Sequence, residues 1–374
     1  MTSSAHPRRA LLASVLATLA APAALAQAPG GQAGPTLQRN RPPLQLLVRR
    51  RRNVGTMAID DPVLVSYRKA VLAMRALPAS DKRNWENQAR IHLDHCPHGN
   101  WYFLPWHRAY LLAFERICQQ MSGDPGFRLP YWNWTVDRVL PAAFTVAQVG
   151  NDPNPLRHTR GPNAGNPLPD NIVGTDVIED ILDETTFTVF ASGKPPGQNS
   201  TAASFQRANG ATGPLEGTPH NSVHGRLGGD MGTYMSPRDP IFWLHHCNID
   251  RLWDSWRRRG NADTADPHWR DFRFGGQFVR PDGTTAYEPQ CKDLMSVRAL
   301  GYEYVPQLVV GRFPTDRLRA LGVLRQVEPS RLVTTQATPA ASAAASGAQA
   351  FRFTLPAPAL SGVQRAARPP LAAA

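Results

Sequence analysis

Eight of the chain's 11 histidines fall in two short segments. The first, IHLDHCPHGNWYFLPWHRAYLLAFE (Ile91 to Glu115), carries His92, His95, His98 and His107. The second, PHNSVHGRLGGDMGTYMSPRDPIFWLHHCNID, carries His220, His224, His245 and His246. His220 and His224 stand at i, i+4, about 40° apart around a helix, so both imidazoles can reach one metal ion. His245 and His246 are about 100° apart, so only one of them reaches that ion. His246 is favoured, because Asp250 lies four residues on along its face and could accept its ring N–H, leaving His245 as a hydrogen-bonded neighbour. Sites of imidazole alone suit copper or zinc. Hydrolytic two-metal sites use bridging carboxylates, and the segments offer none in a bridging pattern. Two neutral sites therefore point to a dicopper pair that binds dioxygen, with three-histidine zinc as the rival.

The elements that must position these rings can be read from caps and period. Asp60-Asp61-Pro62 opens a helix over Val63 to Leu77, which Pro78 stops. A second helix spans about Asp81 to His92, with Trp85, Gln88 and His92 on one face. His98 and His107 would lie on opposite sides of one continuous helix. Gly99, Asn100 and Pro105 instead place His98 on a loop and start a new helix at Pro105 that carries His107, Leu111, Phe114 and Cys118. Ser122 to Pro219 reads as loop with a short helix around Asp176 to Phe190, and Gly193 to Gly217 as a surface excursion. Thr218-Pro219 opens a third histidine helix, closed by Gly228-Gly229. Asp239-Pro240 opens a fourth, through His246 and Trp253 to about Arg259. The expected fold is mainly α: a four-helix bundle enclosing a dinuclear metal site, with long loops and a few short strands. Leu44 to Val48 is expected as one strand, and Phe272 to Tyr304 as several short ones.

The motifs QARIH, CPHGNWYFLPWHRAYLLAFE, PHNSVHG and DPIFWLHHCNIDRLW resemble the two copper-binding segments of the tyrosinase, catechol oxidase and haemocyanin family of type 3 copper proteins. VRRRRNV and GYEY resemble that family's strand and tyrosine motif, so the likeness covers about Val48 to Tyr304. It implies two copper ions, with His92, His98 and His107 on the first and His220, His224 and His246 on the second. Only five residues separate His92 from His98, a shorter interval than is usual in the family. His95 lies between them, and His92 is preferred because it ends a helix on the face of Trp85. At Cys96-Pro97-His98 the resemblance to members of the family further implies a thioether from Cys96 to the His98 ring. The resemblance also implies that Glu216 and Asn221 hold a water that deprotonates a monophenol, and that Tyr234, with its neighbour Met235, forms a substrate gate at the mouth above the second copper. The implied activity is oxidation of phenols and catechols to o-quinones with O2 as co-substrate. Catechol or o-aminophenol oxidation without monophenolase activity is the alternative within the class, and an oxygen carrier or a zinc hydrolase the alternative outside it.

Composition bounds the rest. Hydrophobic content of 42% with nine Trp and 14 Phe supports a large core, while 35 Pro and 29 Gly imply long irregular connections. The net charge of +12 is not interleaved with aromatics except at Arg49 to Arg52, read here as a strand with arginines on a solvated face, so nucleic acid is not an expected partner. Small phenols are, together with a copper-delivering protein that the sequence does not identify. Residues 1–26 read as an export signal, with Arg8 and Arg9, an apolar run from Ala10 to Leu19 and Ala24-Leu25-Ala26 for cleavage, by the general or the twin-arginine route. The apolar run is too short for a permanent membrane anchor. A flexible leader (27–43), a copper-binding catalytic domain (44–305) and a C-terminal extension (306–374) with a Thr/Ala/Ser linker follow. Cys118, Cys247 and Cys291 are expected as core thiols or one disulfide.

Overall fold

The structure, a computed structural model, describes residues 49–195 and 211–305. The expected export signal, leader, Leu44–Val48 strand and C-terminal extension, and residues 196–210 of the surface excursion, lie outside the described residues.

β1 (Arg49–Arg52) is followed by a single 3-10 turn and then by α1 (Pro62–Ala76). Asp61 caps α1 by accepting the Val63 N–H at 3.0 Å, and Pro62 occupies the first turn, where a missing N–H costs nothing. α2 (Trp85–His95) is capped in the same way by Asn84, which accepts from the Glu86 N–H at 2.8 Å. α3 (Phe103–Ser122) begins two residues before Pro105, because first-turn N–H groups have no helical partner and proline is tolerated there. Gly123 ends it with φ 71°, a left-handed conformation that favours glycine.

The connecting region holds a minimal hairpin, β2 (Gln148–Val149) with β3 (Asp152–Pro153), and three short helices, α4 (Asp170–Val173), α5 (Thr175–Asp183) and α6 (Phe187–Phe190). A π-helical turn, Glu216–His220, then runs straight into α7 (Asn221–Leu227). Pro219 lies inside this turn: it has no N–H to give and its ring crowds the preceding turn, so the backbone widens and the Asn221 N–H bonds five residues back to Glu216. α8 (Ile241–Arg258), α9 (Pro267–Arg270), the hairpin β4 (Phe278–Val279) with β5 (Ala286–Tyr287), and β6 (Tyr302–Val305) complete the described chain.

α2, α3, α7 and α8 are the four helices that converge on the histidines, and α1 packs behind α3. The core between α3 and α8 is aromatic: Phe114 and Trp243 stack with centroids 3.4 Å apart, and Tyr110 lies 4.6 Å from the same indole. Every residue of α3 from Phe103 to Glu115 is buried, each large apolar side chain contributing roughly 1.5–3 kcal/mol.

β1 and β6 pair in parallel, Arg49 opposite Tyr302 through Arg52 opposite Val305. Here the expectation of a solvated arginine face fails at one residue, since Arg51 is wholly buried. Its Nε donates to Glu115 of α3 at 3.0 Å, and its Nη1 donates to the Tyr304 hydroxyl at 2.9 Å. Asp250 of α8 receives Arg108 of α3 at 2.5 Å, Tyr302 at 2.7 Å and Tyr304 at 2.5 Å. The charges are tolerated because each is paired, and the network fixes the register of the two helices one residue from His107 and one turn from His246. Cys118, Cys247 and Cys291 are buried free thiols, which realises the core-thiol alternative for them.

Candidate metal centre

His92, Cys96, His98 and His107 bring donor atoms within 4.8 Å of one another, and His220, His224, His245 and His246 do the same. The groups adjoin, with the His107 and His246 rings stacked at 4.2 Å and the His98 and His220 rings 5.6 Å apart. His95 ends α2 and is in neither group.

Most of these rings have their tautomer set by a hydrogen bond on the side away from the site. Nδ1 donates to the carbonyl of Tyr234 from His92 at 2.7 Å, of Phe103 from His107 at 2.8 Å and of Met231 from His224 at 2.6 Å. His220 Nδ1 donates to Asn221 Oδ1 at 2.9 Å. In each ring Nε2 is left as a lone pair. Burial, which disfavours the charged imidazolium, lowers His107 to about 3 and His224 to about 4. It also takes His220 and His246 well below the ordinary range, neighbouring imidazoles adding to the effect. These rings are neutral donors at pH 7.

The residues therefore fit metal ions. His220 Nε2 is buried without a hydrogen-bond partner, an arrangement that would be costly unless something else met that lone pair. His224 Nε2 and His246 Nε2 face each other at 3.3 Å. Two imidazole nitrogens about 2.0–2.1 Å from one tetrahedral ion stand at about that separation. His245 is different: Trp134 Nε1 donates to its Nδ1 at 3.2 Å, which puts the ring's own proton on Nε2. This favours His246 as the donor, although the reason anticipated from spacing is wrong. The Asp250 carboxylate is taken by Arg108, Tyr302 and Tyr304, and His246 Nδ1 has no hydrogen-bond partner.

Cys96 Sγ sits 3.4 Å from His107 Nε2 and 3.8 Å from His98 Nε2, between the two imidazoles. Glu216 is fully buried at the head of the π turn; its Oε1 accepts from the Gly99 N–H at 2.7 Å and its Oε2 from the Ser192 hydroxyl at 2.5 Å. Burial raises its carboxyl to about 7, against the lowering effect of those two hydrogen bonds. Asn221 uses its carbonyl on His220. The Tyr234 ring lies 5.8 Å from His92 and 5.3 Å from His98, against the first group rather than the second, and Met235 beside it is half-buried.

Sequence reasoning missed three neighbours. Phe242 packs 4.2 Å from His246 and 5.1 Å from His92, a position legible at i−4 from His246 on α8. Phe103 packs 4.7 Å from both His107 and His220, again four residues before a histidine. Ser192 has no local signal at all.

A helical bundle closing on two imidazole groups defines a dinuclear metalloprotein of type 3 copper architecture. The common central domain of tyrosinase matches residues 73–175 and 174–259, and the chain belongs to the tyrosinase family. It is 31% identical over 308 residues to tyrosinase HcTyr1 of Hahella sp. (strain CCB-MM4), covering 66% of this chain and 62% of that one. Among solved structures, latent apple tyrosinase superposes with a TM-score of 0.59 at 28% identity, covering 70% of this chain and 64% of that one. An active aurone synthase with a copper B site superposes with a TM-score of 0.59 at 25% identity, covering 70% of this chain and 86% of that one. The chain spans about half to three-fifths of the length of the curated relatives it matches. The cofactor of this family is a pair of copper ions, and the two histidine groups suit it. Among the described residues no helix is long and apolar enough to cross a membrane.

Proposed function

We propose that the protein is an exported dicopper phenol oxidase that converts monophenols and o-diphenols to o-quinones with O2. The observation that carries this reading is the pair of adjoining imidazole groups, neutral and aimed by outward hydrogen bonds, in one aromatic pocket. His92, His98 and His107 hold one copper, and His220, His224 and His246 the other. When bound, the metals supply the electrons that reduce O2; the protein supplies geometry, access and proton handling.

A monophenol must lose a proton whose free pKa is about 10, so it needs a base. Glu216 is the base in this proposal. Each of its oxygens accepts one fixed hydrogen bond and has a second lone pair free for a water, and a carboxyl near 7 is matched to neutral pH. Asn221 orients His220 through its carbonyl and offers its NH2 to the same water. Tyr234 and Met235 shape the entrance, with Tyr234 over the first group. Cys96 forms a thioether with the His98 ring: one hydrogen leaves sulfur, one leaves carbon, and O2 is the oxidant. The domain layout is the one read from the sequence, with residues 44–305 catalytic.

The test is a copper count on the folded chain, an oxygen-dependent near-ultraviolet absorption, and turnover of a monophenol beside a catechol. Two coppers with both activities are expected. Zinc in their place, or catechol oxidation alone, would refute the enzyme or its monophenolase step respectively.

A further inference from the structure

Ser192 is wholly buried, and its hydroxyl stands between a backbone donor and the proposed base. Its Oγ donates to Glu216 Oε2 at 2.5 Å and accepts the N–H of Gly213 at 3.0 Å. The two strands that bring these groups together cross as an antiparallel bridge between Ser192 and Thr212, with the Gly193 N–H donating to the Ala211 carbonyl at 2.7 Å. The crossing is tight: a Cβ on Gly213 would lie 2.5 Å from the Ala191 carbonyl oxygen, so only glycine brings its N–H to Ser192.

The hydrogens in this chain have one favourable arrangement. Backbone N–H groups can only donate, so Gly213 uses the serine oxygen as acceptor and the hydroxyl proton goes to Oε2, while Gly99 supplies the donor to Oε1. A proton added to Glu216 meets Gly99 at one oxygen. At the other it turns the serine hydroxyl away, leaving a buried donor without its acceptor. The charged and titratable groups on the elements packed around this turn include His98 beside Gly99, His220 at the end of the turn, His224 and Arg226 on α7, His245 and His246 on α8, Asp170 on α4, which is paired with Arg138, and Lys194, which is paired with Asp266 at 2.9 Å. Burial and the two hydrogen bonds, not these charges, are what act on the carboxyl.

We propose that Ser192 is a positioning residue for the monophenol reaction: its hydroxyl holds Glu216 as a fixed carboxylate, ready to take the phenolic proton. This rests on the reading of Glu216 as the base. In the copper-loaded full chain, Ser192→Ala should move the acid limb of monophenol turnover up by about one pH unit, hence about tenfold lower turnover on the acid side, as expected when a hydrogen bond to an ionised group is lost. The infrared band of the protonated Glu216 carboxyl, assigned by its loss in Glu216→Gln, should titrate at the same higher pH. Ser192→Thr keeps the hydroxyl and should restore both. If Ser192→Ala does not hold two coppers, Ser192→Cys, a weaker donor, should show a smaller shift in the same direction. An unmoved limb and an unmoved infrared titration in a two-copper variant would overturn the role of Ser192 alone. A Glu216→Gln variant with undiminished monophenol turnover would overturn the base itself.

Discussion

The two histidine groups are built by different means. The second draws His220 and His224 from one continuous helical stretch and His246 from α8, and all three are buried. The first draws His92 from α2 and His107 from α3, but His98 comes from the intervening loop, is only half-buried, and has a thiol beside it. A helix fixes the direction of a side chain through its backbone bonds, whereas a loop residue needs another restraint. The Cys96 thiol and the Tyr234 ring both stand beside this loop histidine, where helical support is missing.

The comparison is tested first by removing one ligand from each group. His107→Ala and His224→Ala should each empty their own site in a copper count and abolish oxidation of both phenols and catechols. Retention of both metals by either variant would break the assignment.

The next effect is confined to the junction between the groups, where Glu216 reaches from the π turn to Gly99 of the first group's loop. Glu216→Gln should lower monophenol turnover by ~10- to 1000-fold, with much less effect on catechol oxidation. Because burial raises this carboxyl from 4.5 to about 7, its base form grows as pH increases, and wild-type monophenol turnover should climb through about pH 7. The same raised value means the folded state binds that proton more tightly than the unfolded chain. Its contribution to stability is full below 4.5 and is lost as pH rises through about 7, a decline that Glu216→Gln should flatten in a denaturant series.

The difference in construction is sharpened by Cys96→Ser. Freed of its sulfur restraint, His98 should bind the first copper ~10- to 100-fold more weakly, the usual size of a lost supporting contact, while the second copper stays. Peptide mass analysis of the wild type should find Cys96 and His98 joined and lighter by two hydrogens; a fully alkylated Cys96 after denaturation would remove the basis for the asymmetry.

The smallest effect is expected at the entrance. Tyr234→Ala should change the preference between bulky and small phenols by only a few-fold, on the order of 1 kcal/mol. An unchanged ratio would reduce Tyr234 to packing against His92 and His98.

Much of this site was legible without coordinates, for reasons of local geometry. The i, i+4 pair His220 and His224, the break at Gly99-Asn100 that frees His98, and the Asp61-Pro62 and Asp239-Pro240 helix starts all follow from backbone rules that act over a few residues. Tertiary structure alone decided the rest. Arg51, in a run of four arginines, is buried because Glu115 and Tyr304 come to meet it from remote segments. Asp250 lies on the expected face of α8, but its carboxylate is claimed by Arg108, Tyr302 and Tyr304 before His246 can use it. The His245 tautomer is set by Trp134, 111 residues away. The carbonyls of Tyr234 and Met231 that set two imidazole tautomers leave no mark in the chain, because every residue has a carbonyl. The sequence determined which side chains could donate to metal and which of them shared a turn of helix. Which lone pairs faced inward, and which carboxylates were taken up by buried partners, was settled by competition among distant hydrogen-bonding groups, a contest that exists only once the chain is folded.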